Sequence, residues 1–322
     1  MNIDHWKIVV TGGAGLIGST TIDLLLREHA SCRIVVMDNL SRGSAINIEA
    51  ALRDPRVSLV QQDIRDRPAV EATFEGADAV LHLAALRITS CAAEPREAFE
   101  VMCAGTYNVV EAAQRAGVRR LVAASTASVY GMADRFPTTE DHHPYNNRTW
   151  YGAAKVMLEG LLRSFNDMYG LPYVALRYFN VYGPRMDTHG KYTEVLIRWM
   201  ERIENGQAPL VLGNGQQTMD FIYVDDIARA NVLALGSEVS DEVFNVATGA
   251  ETSLNQLAEL LARTMERDAT PEYGPERKVN SVPRRLASTH KADQLLGFRA
   301  AIPLDEGLRR LVAWWRATRE AA

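Results

Sequence analysis

A tyrosine and a lysine lie four residues apart in the segment Tyr151-Gly-Ala-Ala-Lys155. On a helix, that spacing places both side chains on one face, where they can act on the same group. A free phenol, with a pKa of about 10, is a poor base at neutral pH. A neighbouring ammonium stabilises the phenolate and lowers that pKa, so the pair is suited to taking a proton from a hydroxyl group.

Hydroxyl side chains precede this pair in the segment Ser125-Thr-Ala-Ser-Val-Tyr-Gly131, at the end of an apolar run. A hydroxyl group there can share a hydrogen bond with the substrate oxygen that Tyr151 deprotonates. Thr126 and Ser128 are the candidates for this role. The alternative is that the serines and the threonine only form a turn.

Glycines at positions 12, 15 and 18 directly follow a short β-branched run. Such a loop lets the backbone approach a pyrophosphate at the positive end of the next helix, although an unrelated glycine turn would have the same composition. Asp38 closes the next apolar run, 20 residues after Gly18. A carboxylate there binds both ribose hydroxyls and repels a 2′-phosphate, which predicts NAD rather than NADP. Arg42 is the residue that would weaken the exclusion of NADP.

Binding of NAD would bring a positive nicotinamide ring close to the tyrosine and lysine pair. That ring would lower the pKa of Tyr151 further, since it also stabilises the phenolate. Lys155 can at the same time hold the ribose of the nicotinamide. The two motifs therefore predict one site for proton and hydride transfer.

Apolar runs alternate with amphipathic stretches over the first 178 residues. The pattern predicts strands at 7–11, 33–38, 57–63, 79–84, 121–125 and 173–178, and helices at 16–29, 67–74, 99–116 and 151–169. This alternation indicates an α/β fold with a doubly wound parallel sheet of the Rossmann type. The carboxyl ends of its strands are the edge at which such sheets bind ligands.

The alternation weakens after about residue 179, where prolines and glycines become more frequent. We expect 1–178 and 220–249 to form the NAD-binding domain. Residues 179–219 and 250–322 are predicted to form a smaller C-terminal α+β lobe that binds the substrate. Within this division, 220–235 is expected to return to the main sheet as a strand followed by a helix.

Composition limits the remaining possibilities. The chain has 322 residues, a net charge of −5 and no basic block, so nucleic acid is not an expected partner. Three cysteines, Cys32, Cys91 and Cys103, lack metal-ligand spacing and predict reduced thiols. No metal is expected, because the adjacent His142 and His143 are predicted to point apart. With no signal-peptide pattern and no apolar run of the ~20 residues that a membrane span needs, we expect a cytoplasmic protein without a membrane partner.

Together these motifs resemble the extended short-chain dehydrogenase/reductase family, in particular its nucleotide-sugar 4-epimerases and their dehydratase and decarboxylase relatives. The resemblance covers nearly the whole chain, with matching features in the order Gly12-x-x-Gly15-x-x-Gly18, Asp38, Asp63-Ile64, His82-Leu-Ala-Ala85, Gly105-Thr106, Tyr130-Gly131, Tyr151-x-x-x-Lys155, Arg177-x-Phe-Asn-Val-Tyr-Gly-Pro-Arg185, Asp220-Phe-Ile-Tyr-Val-Asp-Asp226, Phe244-Asn-Val-Ala247, Lys291-Ala292 and Leu296-Gly297.

The resemblance implies a role for individual residues. Tyr151, Lys155 and Thr126 would be catalytic, since Thr126 precedes Tyr151 by 25 residues, the separation that the family uses. Asp63 would contact the adenine of the cofactor, or alternatively cap a helix. The implied cofactor site consists of Gly12, Gly15, Leu16, Ile17, Gly18, Asp38, Asn39, Asp63, Ile64, Leu83, Ala84, Ala85, Tyr151, Lys155 and Tyr178. The implied substrate contacts are Arg87, Thr126, Ala127, Ser128, Asn180, Arg185, Thr193, Val195 and Lys278.

Two residues after Thr126 bear on the type of reaction. Dehydratases of the family carry Asp-Glu there, decarboxylases usually keep the glutamate, and this chain has Ala127 and Ser128. The resemblance therefore implies an isomerase that inverts C4 of a nucleotide-diphosphate sugar, expected to be UDP-linked, through a transient 4-keto intermediate. Three alternatives stay open: a ketoreductase or dehydrogenase with net hydride transfer, a 3,5-epimerase using Cys91 and Lys191, and an NAD-sensing binding protein.

Several residues depart from the family pattern or vary within it. Met102 replaces an asparagine that ties down backbone near the nicotinamide, and Met219 replaces an arginine that clamps the substrate pyrophosphate. Lys278, Arg284 or Arg285 could supply the missing charge. Two further arginines, Arg87 and Arg185, resemble residues of uronic-acid epimerases, where an arginine suits a carboxylate. Their alternative roles are a structural ion pair or a phosphate contact.

A homodimer is the last implication of the resemblance. Family members pack two helices of each subunit into a four-helix interface, and here those helices would be 99–116 and 151–169.

Overall fold

The computed structural model describes residues 1–188, 194–276 and 282–320. Its strands are β1 (Lys7–Thr11), β2 (Arg33–Met37), β3 (Val57–Val60), β4 (Ala79–His82), β5 (Arg120–Thr126), β6 (Tyr173–Tyr178), β7 (Asn180–Tyr182), β8 (Leu210–Leu212), β9 (Thr218–Met219), β10 (Phe221–Tyr223), β11 (Glu242–Val246), β12 (Thr252–Ser253) and β13 (Glu272–Gly274). Its α-helices are α1 (Leu16–Glu28), α2 (Arg67–Phe74), α3 (Ile88–Ala93), α4 (Pro95–Phe99), α5 (Thr106–Arg115), α6 (Trp150–Tyr169), α7 (Val195–Glu204), α8 (Val224–Gly236), α9 (Leu254–Thr264), α10 (His290–Leu296) and α11 (Leu304–Glu320).

Seven parallel strands form the central sheet in the order β11-β6-β5-β4-β1-β2-β3. The order reverses between β1 and β4, whose last residues, Thr11 and His82, pair side by side. Connections from these two strands leave in opposite directions and open a crevice at their carboxyl ends. The sequence prediction of a doubly wound parallel sheet is confirmed.

Both faces of the central strands are buried, which explains their continuous apolar sequences. In β1, Ile8 and Val10 belong to a core shared with α1 and α8, whereas Val9 belongs to the core on the opposite face, shared with α2, α5 and α6. Alternating side chains of a strand point to opposite faces, so one short run serves both layers. The resulting three-layer packing fixes the carboxyl edge of the sheet.

A smaller lobe has a separate core built mainly from α7, α9 and α11. Trp199 and Trp315 are its largest fully buried side chains, and the indole of Trp199 donates a hydrogen bond to the carbonyl of Leu210 at 2.8 Å. Tyr182 and Tyr223 also lie in this core, so the lobe packs directly on the short strands β7 and β10. Side chains of this lobe therefore lie close to the carboxyl edge of the main sheet.

Some predicted element boundaries were wrong. The strand predicted at 57–63 ends at Val60, because the amide of Gln62 turns back to the carbonyl of Val60. The helix predicted at 99–116 begins earlier, at Pro95, and passes through a π-helical segment, Glu100–Gly105, before α5. A π-helical segment inserts one extra residue into the turn and is common next to functional sites.

The segment 220–235 was expected to rejoin the main sheet. Its strand β10 instead pairs in parallel with β7, and only its helix α8 packs on the sheet, against α1. The strand that extends the main sheet is β11, which pairs with β6. The expectation was wrong because the apolar sequence of a short buried strand does not reveal its partner.

The division of the chain into two lobes remains a prediction, but the packing disagrees with one of its boundaries. Residues 250–322 were all assigned to the smaller lobe, yet Ala292, Leu296 and Phe298 are buried in the core of the main sheet. Helix α10 therefore packs on the sheet, next to its edge strand β11.

The three cysteines are buried free thiols. Across the three described stretches, no helix is long and apolar enough to cross a membrane.

Candidate active site

A cleft of about 1710 Å³ lies at the carboxyl edge of the sheet. Its walls come from the ends of β1, β2, β4, β5 and β6 on one side and from the smaller lobe on the other. Every residue of the predicted cofactor site lines this cleft. They are Gly12, Gly15, Leu16, Ile17, Gly18, Asp38, Asn39, Asp63, Ile64, Leu83, Ala84, Ala85, Tyr151, Lys155 and Tyr178. The structure thus brings this set together.

The glycine loop packs tightly against neighbouring backbone. Gly12 has φ +70°, and a Cβ atom there would lie 2.7 Å from the amide nitrogen of Ala84. At Gly18, a Cβ atom would lie 2.6 Å from the carbonyl oxygen of Gly12. Gly15 is the N-cap of α1 and offers no side chain to the amides of the first turn. Backbone amides at the positive end of a helix are therefore presented to the cleft, as phosphate binding requires.

Asp38 is held by the backbone on both sides. One carboxylate oxygen accepts a hydrogen bond from the amide of Ala14 at 3.0 Å, and the other from the amide of Leu40 at 2.9 Å. The side chain is buried, with 8% of its surface exposed. An oriented carboxylate in this position can accept hydrogen bonds from ribose hydroxyls and repels a further anion.

Asn39 and Asp63 form the next part of the wall. The amide of Asn39 donates to the carboxylate of Asp63 at 2.7 Å, and Arg65 donates to the same group at 2.8 Å. Burial would raise the pKa of Asp63, but these hydrogen bonds lower it below its ordinary value. The alternative role of Asp63 as a helix cap is wrong, because Asp66 caps α2 by accepting from the amide of Ala69.

Arg42 was the residue expected to weaken the exclusion of NADP. Its guanidinium donates to the carbonyl of Ala85 at 3.2 Å, at the end of β4. Burial lowers the pKa of Arg42, and the hydrogen bond holds its guanidinium at the loop after β4. We therefore still expect Asp38, rather than Arg42, to decide between NAD and NADP.

Tyr151 and Lys155 lie in the first two turns of α6, whose N-cap Thr149 accepts from the amide of Gly152 at 3.1 Å. The ammonium of Lys155 is buried and donates to the carbonyl of Ala124 at 2.6 Å. Burial lowers the pKa of Lys155 to about 8. Its position is therefore fixed by the end of β5, and the charged form is only weakly favoured at neutral pH.

Thr126 is the last residue of β5 and hydrogen-bonds to the phenol of Tyr151. Its oxygen also accepts from the amide of Ser128 at 3.1 Å, which orients the hydroxyl proton away from that amide. Burial raises the pKa of Tyr151, and the hydrogen bond from Thr126 opposes that rise. The pKa of Tyr151 is therefore raised in the protein alone, contrary to the lowered pKa that the sequence predicted.

Met102 shows how a departure from the family pattern is accommodated. The amide of Leu86 donates to the sulfur of Met102 at 3.2 Å, and the methionine is buried within the π-helical segment. A thioether is a weak acceptor, but it satisfies the backbone where the family uses an asparagine. The tie between this helix and the loop after β4 is therefore retained.

Two groups beside the site were given no role from the sequence, although His82 begins one of the matching motifs. His82 contacts the hydroxyls of Thr11 at 2.8 Å and Thr106 at 3.2 Å, and burial lowers its pKa to about 3. It is therefore a neutral bridge between strands and helix rather than a base. Glu159 accepts from Arg177 at 2.6 and 2.9 Å and from Ser125, which holds the end of β5. Such buried ion pairs leave no local sequence signal.

The predicted substrate residues show a different pattern. Arg87 pairs with Asp187 and Glu194, each at 3.5 Å, and Arg185 pairs with Asp23 at 2.7 Å. These arginines line the cleft, but as members of ion pairs, which favours the structural alternative. The predicted substrate residues that line the cleft are Arg87, Thr126, Ala127, Ser128, Asn180, Arg185 and Val195. Thr193 and Lys278 lie outside the described residues, as does Lys191.

The structure narrows the choice of residue that could supply the positive charge missing at Met219. Arg284 pairs with Glu251 at 2.6 Å and stacks over the ring of Phe136. Arg285 instead lines the cleft beside Met219, with 8% of its surface exposed. Of the described candidates, Arg285 is the one that points into the site.

The argument that excluded a metal from the histidine pair was wrong. The rings of His142 and His143 lie 4.7 Å apart at a tilt of 32°, and both approach the carboxylate of Asp134. His142 is 2.9 Å from that carboxylate and also contacts the carbonyl of His143. Hydrogen bonds within the loop account for this arrangement.

The chain is similar to known epimerases in both sequence and structure. Residues 8–247 match the model of the NAD dependent epimerase/dehydratase family. The UDP-glucose 4-epimerase of Mycolicibacterium smegmatis is 35% identical over 96% of this chain and 98% of its own. A UDP-glucose 4-epimerase of Thermotoga maritima, solved with UDP-glucose, has a TM-score of 0.90 at 35% identity, covering 97% of this chain and 99% of the other.

A third similarity extends the range of sugars among these proteins. The UDP-N-acetylglucosamine 4-epimerase of Methanobrevibacter ruminantium, in complex with UDP-N-acetylmuramic acid, has a TM-score of 0.92. It is 32% identical and covers 98% of this chain and 99% of its own.

Proposed function

The chain belongs to the NAD-dependent epimerase/dehydratase family, and from this premise we propose that it is an isomerase that inverts C4 of a UDP-sugar. The observation that carries the proposal is the meeting of Tyr151, Thr126 and Lys155 with the glycine loop and Asp38 in one cleft. That combination serves reversible oxidation of a hydroxyl group. The similar UDP-glucose 4-epimerases, matched over almost their full length, support the same reaction.

The residues present fit NAD. The backbone of Gly12 packs so closely against that of Ala84 that no Cβ atom fits, and the first turn of α1 offers amides to a pyrophosphate. Asp38 would accept hydrogen bonds from the adenosine ribose and disfavour a 2′-phosphate. Asp63 and Ile64 would meet the adenine, and Lys155 and Tyr178 the nicotinamide end. When bound, NAD would take the C4 hydride of the sugar and return it to the opposite face.

Tyr151 is the proposed base. Its phenolate would accept the proton of the 4-hydroxyl, while Thr126 donates a hydrogen bond to the same substrate oxygen and keeps it in place. Since burial raises the pKa of Tyr151 in the protein alone, positive charge is needed to make it a base. Lys155 would supply part of that charge from the ribose side, held by the carbonyl of Ala124. Tyr151 would return the proton when the second hydride transfer occurs.

Ala127 and Ser128 argue against sugar dehydration and decarboxylation. A dehydratase needs an acid to protonate the leaving hydroxyl and a base for the α-proton. The methyl group of Ala127 is buried and the hydroxyl of Ser128 is neutral, so neither supplies that chemistry. Inversion at C4 needs only the tyrosine, the threonine and the cofactor.

The remaining alternatives have less support. A 3,5-epimerase would use Cys91, but burial raises the pKa of this thiol to about 11, which makes it a poor base at neutral pH. An NAD-sensing protein need not keep both Tyr151 and Lys155. A net ketoreductase would use the same residues and differs only in exchanging its cofactor.

Substrate contacts are proposed from the residues that line the cleft. Thr126, Ala127 and Ser128 would border the reacting sugar, because they follow β5 beside Tyr151. Asn180 and Val195 lie on the side of the smaller lobe, where the nucleotide would bind. The side-chain amide of Asn180 donates to the carbonyl of Asp220 at 3.0 Å, which holds this residue in the wall of the cleft.

The test uses purified protein without added NADH. An epimerase is expected to interconvert a UDP-sugar and its C4 epimer and to retain deuterium placed at C4 of the substrate. Loss of the label to solvent would contradict the proposal. A stoichiometric requirement for NADH would favour the ketoreductase instead.

We also propose a homodimer formed through α4, α5 and α6. Phe99, Tyr107 and Trp150 are 46%, 43% and 38% exposed and line an apolar groove between these helices. A second copy of the chain would cover this groove and form the four-helix interface expected of the family. Light scattering should give twice the chain mass, and Tyr107→Glu should give monomers, whereas Tyr145→Glu, at an 83% exposed position elsewhere, should not. A monomeric parent protein would refute the dimer.

A further inference from the structure

The segment between β5 and α6 brings three side chains of metal-ligand type together. Asp134, His142 and His143 each contribute one ligand atom, and these atoms all lie within 4.8 Å of one another. Nε2 of His142 is 2.9 Å from one carboxylate oxygen of Asp134, and Nε2 of His143 is 3.8 Å from the other. The protein itself therefore holds two imidazoles against one carboxylate.

The contacts of His142 place two acceptors face to face. Its Nδ1 lies 2.8 Å from the carbonyl oxygen of His143, which can only accept, so Nδ1 carries the proton. In the neutral ring Nε2 then has a lone pair, and it faces a carboxylate oxygen of Asp134 that also only accepts. The amide of Asp134 approaches this Nε2 at 3.3 Å, which is longer than an ordinary hydrogen bond. A cation between the two acceptors removes their repulsion.

Either a proton or a metal ion can be that cation, and the position of His143 favours the metal ion. A proton on His142 satisfies a single pair of atoms and makes no use of the second imidazole. A metal ion can bind both rings and the carboxylate together. Two ligands of a tetrahedral ion with bonds of about 2.0–2.1 Å lie about 3.3 Å apart. The separations of 2.9 and 3.8 Å from Asp134 lie on either side of that value.

The surroundings of His142 match those of a metal ligand. Histidines that bind metals usually donate their other ring N–H to a carbonyl or a carboxylate, which fixes the ring. Nδ1 of His142 has such a carbonyl, and the ring packs edge-on against Tyr130 with the centroids 5.8 Å apart. The side chains of Asp134 and His143 are 59% and 38% exposed, so an ion can reach them from solvent.

We propose that Asp134, His142 and His143 bind one divalent transition-metal ion, with Zn²⁺ as the expected occupant. Two imidazoles and one carboxylate suit Zn²⁺, whereas Mg²⁺ and Ca²⁺ prefer sites built from oxygen ligands. Three protein ligands leave a further coordination position for water. This site goes beyond the proposed epimerase activity, and no step of that reaction passes through it.

The ion would act as a cross-link within the segment that leads to α6. The base of the loop is closed by Met132, whose amide donates to the carbonyl of Asn146 at 3.2 Å and whose carbonyl accepts from the side chain of Asn146 at 3.0 Å. Asp134 lies just inside this closure on the outgoing strand of the loop, and His142 lies on the returning strand. A bound ion would therefore restrain residues 133–145.

Titration of Zn²⁺ into the tag-free, chelator-treated chain tests the site. Calorimetry should give one Zn²⁺ per chain with a micromolar or lower Kd, and excess Mg²⁺ should not displace it. Asp134→Asn should weaken the binding by about 100-fold and His143→Ala by about tenfold. The smaller loss is expected for His143, because its Nδ1 must give up a contact with the amide of Tyr145 at 3.3 Å when Nε2 binds the ion. Both variants change exposed or half-exposed side chains, so the test does not depend on replacing the buried His142.

Two matched controls should bind Zn²⁺ as the parent does. Asp141→Asn removes an exposed carboxylate of the same loop, one that accepts from the hydroxyl of Thr139 and lies outside the cluster. His29→Gln removes a histidine that lies 3.7 Å from a different carboxylate, that of Asp4. Equal Zn²⁺ affinity in the parent, Asp134→Asn and His143→Ala would place the ion elsewhere and overturn the proposal, as would the lack of saturable binding by the parent.

Co²⁺ and hydrogen exchange provide independent readouts. Co²⁺ bound in place of Zn²⁺ should show visible absorption without a thiolate charge-transfer band, whereas such a band would assign the ion to a cysteine and contradict the proposal. Zn²⁺ should slow amide exchange in residues 133–145 by about tenfold in the parent and leave it unchanged in Asp134→Asn. Slower exchange in both proteins would show that the three side chains are not the site.

Discussion

The two sides of the cleft hold their functional side chains in different ways. On the cofactor side, the partners are mostly backbone groups: Asp38 accepts from the amides of Ala14 and Leu40, and Lys155 donates to a carbonyl of β5. On the proposed sugar side, charged side chains meet other charged side chains from distant parts of the chain, as Arg185 meets Asp23.

This difference determines which residues are replaceable. A backbone partner is present whatever the neighbouring side chains are, so the cofactor side needs only a few fixed residues and glycines. Met102, where the resemblance implies an asparagine, still offers an acceptor to the amide of Leu86. An ion pair requires both of its members, so the sugar side can change whenever either one changes. We expect substrate choice to vary more readily than cofactor choice.

The largest expected effect is on the side that carries the chemistry. Tyr151→Phe should lower the turnover of a UDP-sugar by about 10³-fold, because the ring remains but the proton acceptor is lost. Binding of NAD and of UDP should stay within a few-fold of the parent, which separates loss of chemistry from loss of folding. Unchanged turnover would remove Tyr151 from the mechanism and break the functional contrast between the two sides.

Gly12→Ala should weaken the binding of NAD by about 100-fold, since the new methyl group meets the backbone at Ala84 and the residue has φ +70°. Gly170→Ala is the matched control, because Gly170 has the same φ of +70° and open space around it. It should cost about 1 kcal/mol of stability and leave NAD binding intact. Equal NAD affinities in both variants would show that the close approach at Gly12 does not matter.

Lys155→Met should stabilise the folded chain by about 2 kcal/mol at pH 7. The folded pKa of about 8 lies below the ordinary value of 10.5, so the unfolded chain holds the proton more tightly between these values. Burying the ammonium therefore costs stability below pH 8, and that cost diminishes as the pH rises to 10.5. The gain from Lys155→Met should shrink accordingly, although the lost hydrogen bond to Ala124 offsets about 1 kcal/mol throughout.

Urea unfolding at pH 7 and at pH 9.5 measures this dependence, with Lys291→Met as control. Lys291 pairs with Glu242 at 2.6 Å and is about one-third exposed, so its replacement should bring no gain at either pH. Equal destabilisation by Lys155→Met at both pH values would show that burying the ammonium of Lys155 does not lower the stability of the folded chain.

The smallest effect is expected on the sugar side. Arg185→Gln should change the turnover of UDP-sugars less than threefold and stability by no more than about 1 kcal/mol, because the side chain pairs with Asp23 at a partly exposed site. Asp23→Asn is the control, and the double variant should resemble either single one. A tenfold rise in KM from Arg185→Gln alone would return Arg185 to substrate binding and weaken the comparison.

Prediction from the sequence followed the same division. The glycine loop, Asp38 and the tyrosine and lysine pair are short local patterns, and the structure brings all of them to one edge of the sheet. The ion pairs of Arg87 and Arg185 join residues about 100 or more positions apart, so no local pattern announces them. The sheet partner of β10 was predicted wrongly for a similar reason. Tertiary packing pairs β10 with β7, and the sequence of β10 alone does not show this.

The placement of β11 at the edge of the sheet has a consequence for how the chain is made. Six of the seven strands of the main sheet are complete by Tyr178, whereas β11 follows only after the segment 179–241, and α10 covers it later still. During synthesis, the first six strands can therefore assemble with their helices while the edge at β6 waits for its neighbour. Pulsed hydrogen exchange during refolding should show protection of β1, β4 and β5 amides before those of β11.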